Sequence, residues 1–175
     1  MIPARPGPIV SASMRVAVLL SQDEGLARGS LADGVAVQDG ARMAGEVAAA
    51  CRRNGWEVLE IPVSVQPAEL VERLESANPD VVFHLAESLN GEARGEAAVA
   101  SLLEWAGLAF TGSSALSCAL CLDKPLARAA LAGHGLPVPP GRVVESGASP
   151  LDGLRPPLIV KLSREDASHG IDRGS

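Results

Sequence analysis

The chain has 175 residues, 47% of them apolar and 21% charged, with a formal net charge of −6. That apolar content excludes general disorder, and at roughly 100–200 residues per domain the length allows one domain, or one domain and part of a second. The acidic balance, the lack of a dense Lys/Arg stripe and an aromatic content of 2% exclude the usual nucleic-acid-binding surface. No apolar run approaches the ~18 residues that span a bilayer, so no membrane partner is expected. Residues 1–13 hold three prolines and no sustained apolar stretch, which reads as a disordered extension rather than a signal peptide. Three cysteines, an odd number, point to a reducing, cytoplasmic setting rather than a disulfide framework.

From Met14 to Leu20 the run MRVAVLL suits a strand buried on both faces. A polar, Gly-containing stretch follows and reads as a long loop at the carboxyl end of that strand. Val37 to Asn54 is predicted helical, with Met43, Val47 and Cys51 spaced by four and Asn54-Gly55 closing it. Trp56 to Val63 is a second strand, Pro67 to Ala77 a helix stopped by Asn78-Pro79, and Asp80 to Leu85 a third strand. Glu92 to Ala106 is a helix ending at Gly107, and Leu108 to Thr111 is a short fourth strand. Ser113 or Ser114 can then cap a short helix through Leu122. Strand and helix alternate throughout, which predicts a doubly wound parallel α/β sheet over residues 14–122.

The pattern changes near Lys124. Pro125 to Gly133 is one more amphipathic helix, and GLPVPP breaks the chain. Gly141 to Glu145 and Leu158 to Leu162 look like two strands with no helix between them, hence an antiparallel pair. Residues 123–175 are therefore read as the start of a second, α+β domain, too short in itself to bury much apolar surface.

The run AGLAFTGSSALSCALCLDK, from Ala106 to Lys124, resembles the GS…DK segment of the ATP-grasp family, particularly the D-alanine–D-alanine ligases. Pro157 to Ile171, PLIVKLSREDASHGI, resembles that family's strand and phosphate loop. The resemblance implies a pre-ATP-grasp α/β domain followed by an ATP-binding central domain. It also implies ligation of a carboxylate to an amine through an acylphosphate, with ATP and Mg2+ as cofactors and amino-acid-like substrates. Homodimers through the N-terminal domain are implied as well. Magnesium ligands are expected beyond Ser175, so the 175-residue chain by itself is expected to be inactive.

Lys124 and Lys161 match the family lysines that reach the nucleotide phosphates, where cations spread the charge of the transferring group. The alternative is that both are solvated surface lysines. Ser168 and Gly170, with Ala167, match the phosphate-covering loop, in which small residues let backbone N–H groups approach phosphate oxygens. Asp166, Ala167 and His169 depart from the family's usual residues there, and a plain surface turn is the competing reading. On the substrate side, Glu87, Gly91 and Glu92 fall where the family carries its H-G-x-x-G-E-D-G segment. Glu87 stands in place of the histidine, which favours a cationic or amine-bearing substrate. A solvated loop carboxylate and a helix-start Glu92 are the alternatives. Glu24 and Ser30 are loose candidates for the first-strand loop.

Cys118 and Cys121 form C-x-x-C, but no second pair stands at ligand spacing, so they read as small buried residues. His84 reads as a hydrogen-bonded core or sheet-end histidine, and His134 as a helix C-terminal cation. The absence of G-x-G-x-x-G after the first strand disfavours a nicotinamide site. Beside the ligase, the sequence leaves open a non-catalytic module binding a small molecule or a subunit, and a truncated product without function.

Overall fold

The computed structural model of the chain describes residues 13–21, 34–63, 66–146, 151 and 153–165. In chain order the elements are β1 (Arg15–Leu20), α1 (Gly34–Arg53), β2 (Glu57–Pro62), α2 (Pro67–Ala77), β3 (Val81–Leu85), α3 (Gly95–Trp105), α4 (Ala115–Leu122) and α5 (Lys124–Gly133). The three strands form one parallel sheet in the order β2-β1-β3. Arg15 pairs with Glu57 across β1 and β2, and Val16 with Val81 across β1 and β3. The predicted fourth strand is reduced to a single parallel bridge, Val82 to Phe110, on the outer edge of β3.

Period-two alternation along β1 sorts its side chains onto two cores. Ala17 and Leu19 face a cluster with Ile61, Leu70, Leu74, Val82, Val99 and Leu103, built on α2 and α3. Val16 and Val18 face Ala44, Ala48 and Cys51 of α1. Helices thus cover both faces, as the near-continuous apolar strands require. Leu19, Ile61 and Leu103 are fully buried, each contributing about 1.5–3 kcal/mol of transfer free energy. The inward stripe of α1 is Ala44, Val47, Ala48 and Cys51 rather than the expected spacing from Met43, which is 43% exposed. The stripe follows i, i+3, i+4, i+7, which holds one face of a 3.6-residue helix better than a strict spacing of four.

Helix ends follow local chemistry. Asn78 takes the left-handed conformation at the end of α2 and donates its N–H to the Leu74 carbonyl, with Pro79 next. Ser114 caps α4, its side chain accepting from the Ser117 N–H at 3.3 Å. Asp123 caps α5 in the same way, accepting from the Leu126 N–H at 3.0 Å, so that helix starts at Lys124, one residue before the predicted Pro125. α3 starts at Gly95 rather than at Glu92, because Leu89 to Glu92 closes as a tight hairpin first.

The expected strands at Gly141–Glu145 and Leu158–Leu162 do not form. Both segments are without strand pairing, and Val143, Ile159 and Val160 are 59–63% exposed. A strand exists through its hydrogen-bonded neighbours and the layer that covers it. All the residues of these two segments are exposed, and α5 buries none of its own residues.

Candidate functional site

The chain leaves β1 for α1 and β2 on one side, while β3 pairs with β1 on the other. The carboxyl ends of β1 and β3 therefore flank a topological switch point, the place where open α/β sheets bind ligands. Ser21 follows β1 directly, and the loop after β3 carries Ala86, Glu87 and Ser88. The Ser21 hydroxyl accepts from the backbone N–H groups of Glu87 and Ser88, both at 3.0 Å, and donates to the Ser88 carbonyl at 3.1 Å. The Ser88 hydroxyl lies 3.1 Å from it. Ala86 and Ser88 turn inward and are buried, and the Glu87 side chain points outward between them.

The next four residues form a two-residue hairpin. Leu89 and Glu92 exchange backbone hydrogen bonds at 3.2 and 3.1 Å, and Asn90 and Gly91 both have positive φ, 54° and 72°. This is the conformation that Asn-Gly favours. Close packing against α3 follows: a Cβ on Gly95 would stand 2.3 Å from the Leu89 backbone nitrogen. Gly91 thus meets a backbone requirement, and Glu92 pairs loosely with Arg94 at 3.6 Å.

Glu87 lines a cleft of about 360 Å³ with Glu96, Ser113, Ser117, Cys118, Cys121 and Leu122. Glu96 comes from the first turn of α3, the serines and cysteines from α4 and the residues leading into it. The Cys118 thiol donates to Glu96 Oε1 at 3.6 Å and faces the Ser113 carbonyl at 3.7 Å. Burial, together with the Glu96 carboxylate beside it, pushes this thiol up to about 11, so it stays protonated. Cys118 is buried as expected; Cys121 is exposed at the cleft, contrary to the expectation for the pair. Underneath, the His84 ring faces the Glu96 carbonyl through Nε2 at 3.4 Å and packs edge-on against Phe110. Burial lowers its pKa and the carbonyl opposes this, so the ring is a neutral half-buried histidine at the sheet end. Carboxylates and hydroxyls around a small cleft suit a compact polar ligand bearing a positive charge.

The second expected site lies at the other end of the described chain. The Lys124 ammonium donates to the Glu165 carbonyl, and the Lys124 N–H to the Ser163 carbonyl at 3.0 Å. Arg164 pairs with Asp123 at 2.8 Å. That guanidinium and the Leu126 N–H hold the Asp123 carboxyl below its usual range. The start of α5 is thereby fastened to residues 163–165. Lys161 is exposed three residues before Arg164. Ser168 and Gly170, like Glu24 and Ser30, lie outside the described residues.

Of the expected residues, then, the fold brings Glu87 into a cleft and Lys124 to the base of the predicted loop. Gly91 and Glu92 belong to the adjoining hairpin and do not line that cleft. Ser21, Glu96 and Ser117 escaped the sequence reading, and Ser113 entered it only as a candidate helix cap. The only available signal was their position, just past strand ends or in a first helical turn.

These features define a doubly wound α/β domain with a cleft lined by two carboxylates and two serines beside the carboxyl end of β3. No protein-family model matches the chain. The D-alanine–D-alanine ligase of Gluconobacter oxydans (strain 621H) is 34% identical over 160 residues, covering 91% of this chain and 48% of that protein. The D-alanine–D-alanine ligase of Jannaschia sp. (strain CCS1) is 38% identical over 132 residues, 71% of this chain and 39% of that protein. The crystal structure of D-alanine–D-alanine ligase from Bacillus anthracis complexed with ATP shares the fold. Its TM-score is 0.52 at 22% identity, over 71% of this chain and 36% of that one. The chain is a homologue of the N-terminal part of the D-alanine–D-alanine ligases, and it spans about half or less of the length of these relatives. Among the described residues no helix is long and apolar enough to cross a membrane.

Proposed function

We propose that the chain is the N-terminal portion of an ATP-dependent carboxylate–amine ligase, with its α/β domain forming one wall of the amino-acid site. The observation that most supports this is the placement of Glu87, on the loop after β3, in a cleft with a second carboxylate and two serines, in a fold shared with a D-alanine–D-alanine ligase. Glu87 and Glu96 would receive the ammonium group of an amino acid such as D-alanine. Ser113 and Ser117 would meet its polar groups by hydrogen bonds.

The unit boundary is proposed near Asp123. Among the described residues every buried apolar one lies at or before Leu122, whereas α5 is tied forward to residues 163–165. In this reading the second unit binds ATP. Lys124 keeps N–H donors to spare beyond the one given to Glu165, and exposed Lys161 would add a second cation for a polyphosphate. When bound, ATP would supply the phosphoryl group that activates a carboxylate. The lysines' own part would be to hold phosphate oxygens and spread their charge. Mg2+ is another matter. Among the described residues no group of three or more His, Cys, Asp or Glu side chains could hold a metal ion, so no role for it is built on them.

A thermal melt of the chain tests both halves of the reading. Millimolar ATP and millimolar D-alanine should each raise the melting temperature, since a ligand that binds only the folded state stabilises it. Indifference to ATP would remove the nucleotide role from residues 123–175. Indifference to D-alanine would leave an α/β module with a different ligand.

A further inference from the structure

We infer that Ser21 is a positioning residue that sets the direction in which Glu87 enters the cleft. The inference rests on the reading that Glu87 meets the amino-acid substrate. A serine hydroxyl has one proton to give and two lone pairs to accept with. Here the proton goes to the Ser88 carbonyl, and the acceptor side is shared by the N–H groups of Glu87 and Ser88 and by the Ser88 hydroxyl. All three positions are filled inside the protein, so Ser21 has none left for a ligand and acts through the loop.

The hydroxyl is itself well anchored. Leu20, just before it, pairs with Pro62 on one side and Leu85 on the other, and its carbonyl accepts from the Val63 N–H at 2.8 Å. Ser21 is therefore the point where the rigid centre of the sheet grips a loop 66 residues further along the chain. The grip falls on the Glu87 backbone itself. Buried Ala86 and Ser88 on either side, and the Leu89–Glu92 hairpin beyond, leave the loop little other freedom. Without the hydroxyl, the Glu87 N–H and the Ser88 backbone would need new partners, and the carboxylate's origin would shift.

The test is a mutant cycle on the chain itself, read by amide NMR titration with D-alanine. Ser21→Ala and Glu87→Gln should each weaken D-alanine binding roughly tenfold, the scale of one misplaced or lost polar contact. The double variant should bind no more weakly than Glu87→Gln alone, because Ser21 acts only through that carboxylate. Ser21→Thr, which keeps a hydroxyl, should bind as the wild type does. If Ser21→Ala does not fold, Ser21→Cys takes its place, since a thiol is a poor acceptor of similar size. Full additivity in the double variant, or wild-type affinity in Ser21→Ala, overturns the inference while leaving Glu87 in the site. Wild-type affinity in Glu87→Gln, or no D-alanine binding by the wild type, overturns the substrate reading and the inference with it.

Discussion

The Cys118 thiol points at the Glu96 carboxylate, with Sγ 3.6 Å from Oε1, and this contact ties α4 to the first turn of α3 along the wall of the cleft. Its consequence is chemical protection: burial first, and the neighbouring negative charge second, keep the proton on sulfur up to about 11. Iodoacetamide should therefore modify exposed Cys121 well before Cys118, as peptide mass mapping over time would show. Glu96→Gln should shorten that interval. Equal rates for the two thiols would contradict the geometry.

The same shift carries a pH dependence of definite sign. The folded state holds the Cys118 proton more tightly than the unfolded chain does. Stability from this group is thus complete below the ordinary thiol pKa and is lost as pH rises from there towards 11. Denaturant melts across that window should fall more steeply for the wild type than for Cys118→Ala.

Asp123 has the opposite dependence. Its carboxyl is depressed by Arg164 and by the Leu126 N–H, so what it adds to α5 is present above the ordinary carboxylate pKa. It is lost as pH falls through the lowered value. Protection of the Leu126 amide, its exchange rate relative to that of an open amide at the same pH, should fall in that acid range, and Asp123→Ala should show the low protection already at neutral pH.

The hairpin before α3 depends on two glycines. Gly91→Ala must hold an alanine at a φ of 72°, at a cost of about 1–2 kcal/mol. Gly95→Ala sets a methyl against the Leu89 backbone, and the loop must move at a cost of about 1–3 kcal/mol. Urea melts should show both losses. Gly45→Ala, which meets nothing within 4 Å inside α1, should be neutral or stabilising.

In the central strand, Leu19→Ala removes a fully buried side chain from the larger core and should cost about 2–5 kcal/mol by the same measurement. Exposed Leu116 on α4 is the control, and its change to Ala should leave the midpoint nearly unmoved.

The sequence by itself determined the parallel α/β domain. Apolar runs such as MRVAVLL and DVVFHL suit strands buried in a parallel sheet, and Asn78-Pro79, Gly107 and Ser114 carry stop and start signals within a few residues of chain. These are local properties of backbone and side chain, and they hold wherever the segment sits. Resemblance to the ligase motifs singled out Glu87 and Lys124 as candidates. Tertiary structure decided the rest. Glu96 and Cys118 are 22 residues apart and Ser21 and Glu87 are 66 apart, and no local pattern says that such pairs will meet. Gly91 and Glu92 matched the motif, yet the turn they form stands beside the cleft rather than in it. Val143 and Ile159 look like strand residues, but a strand is completed by neighbours, and propensity alone supplies none.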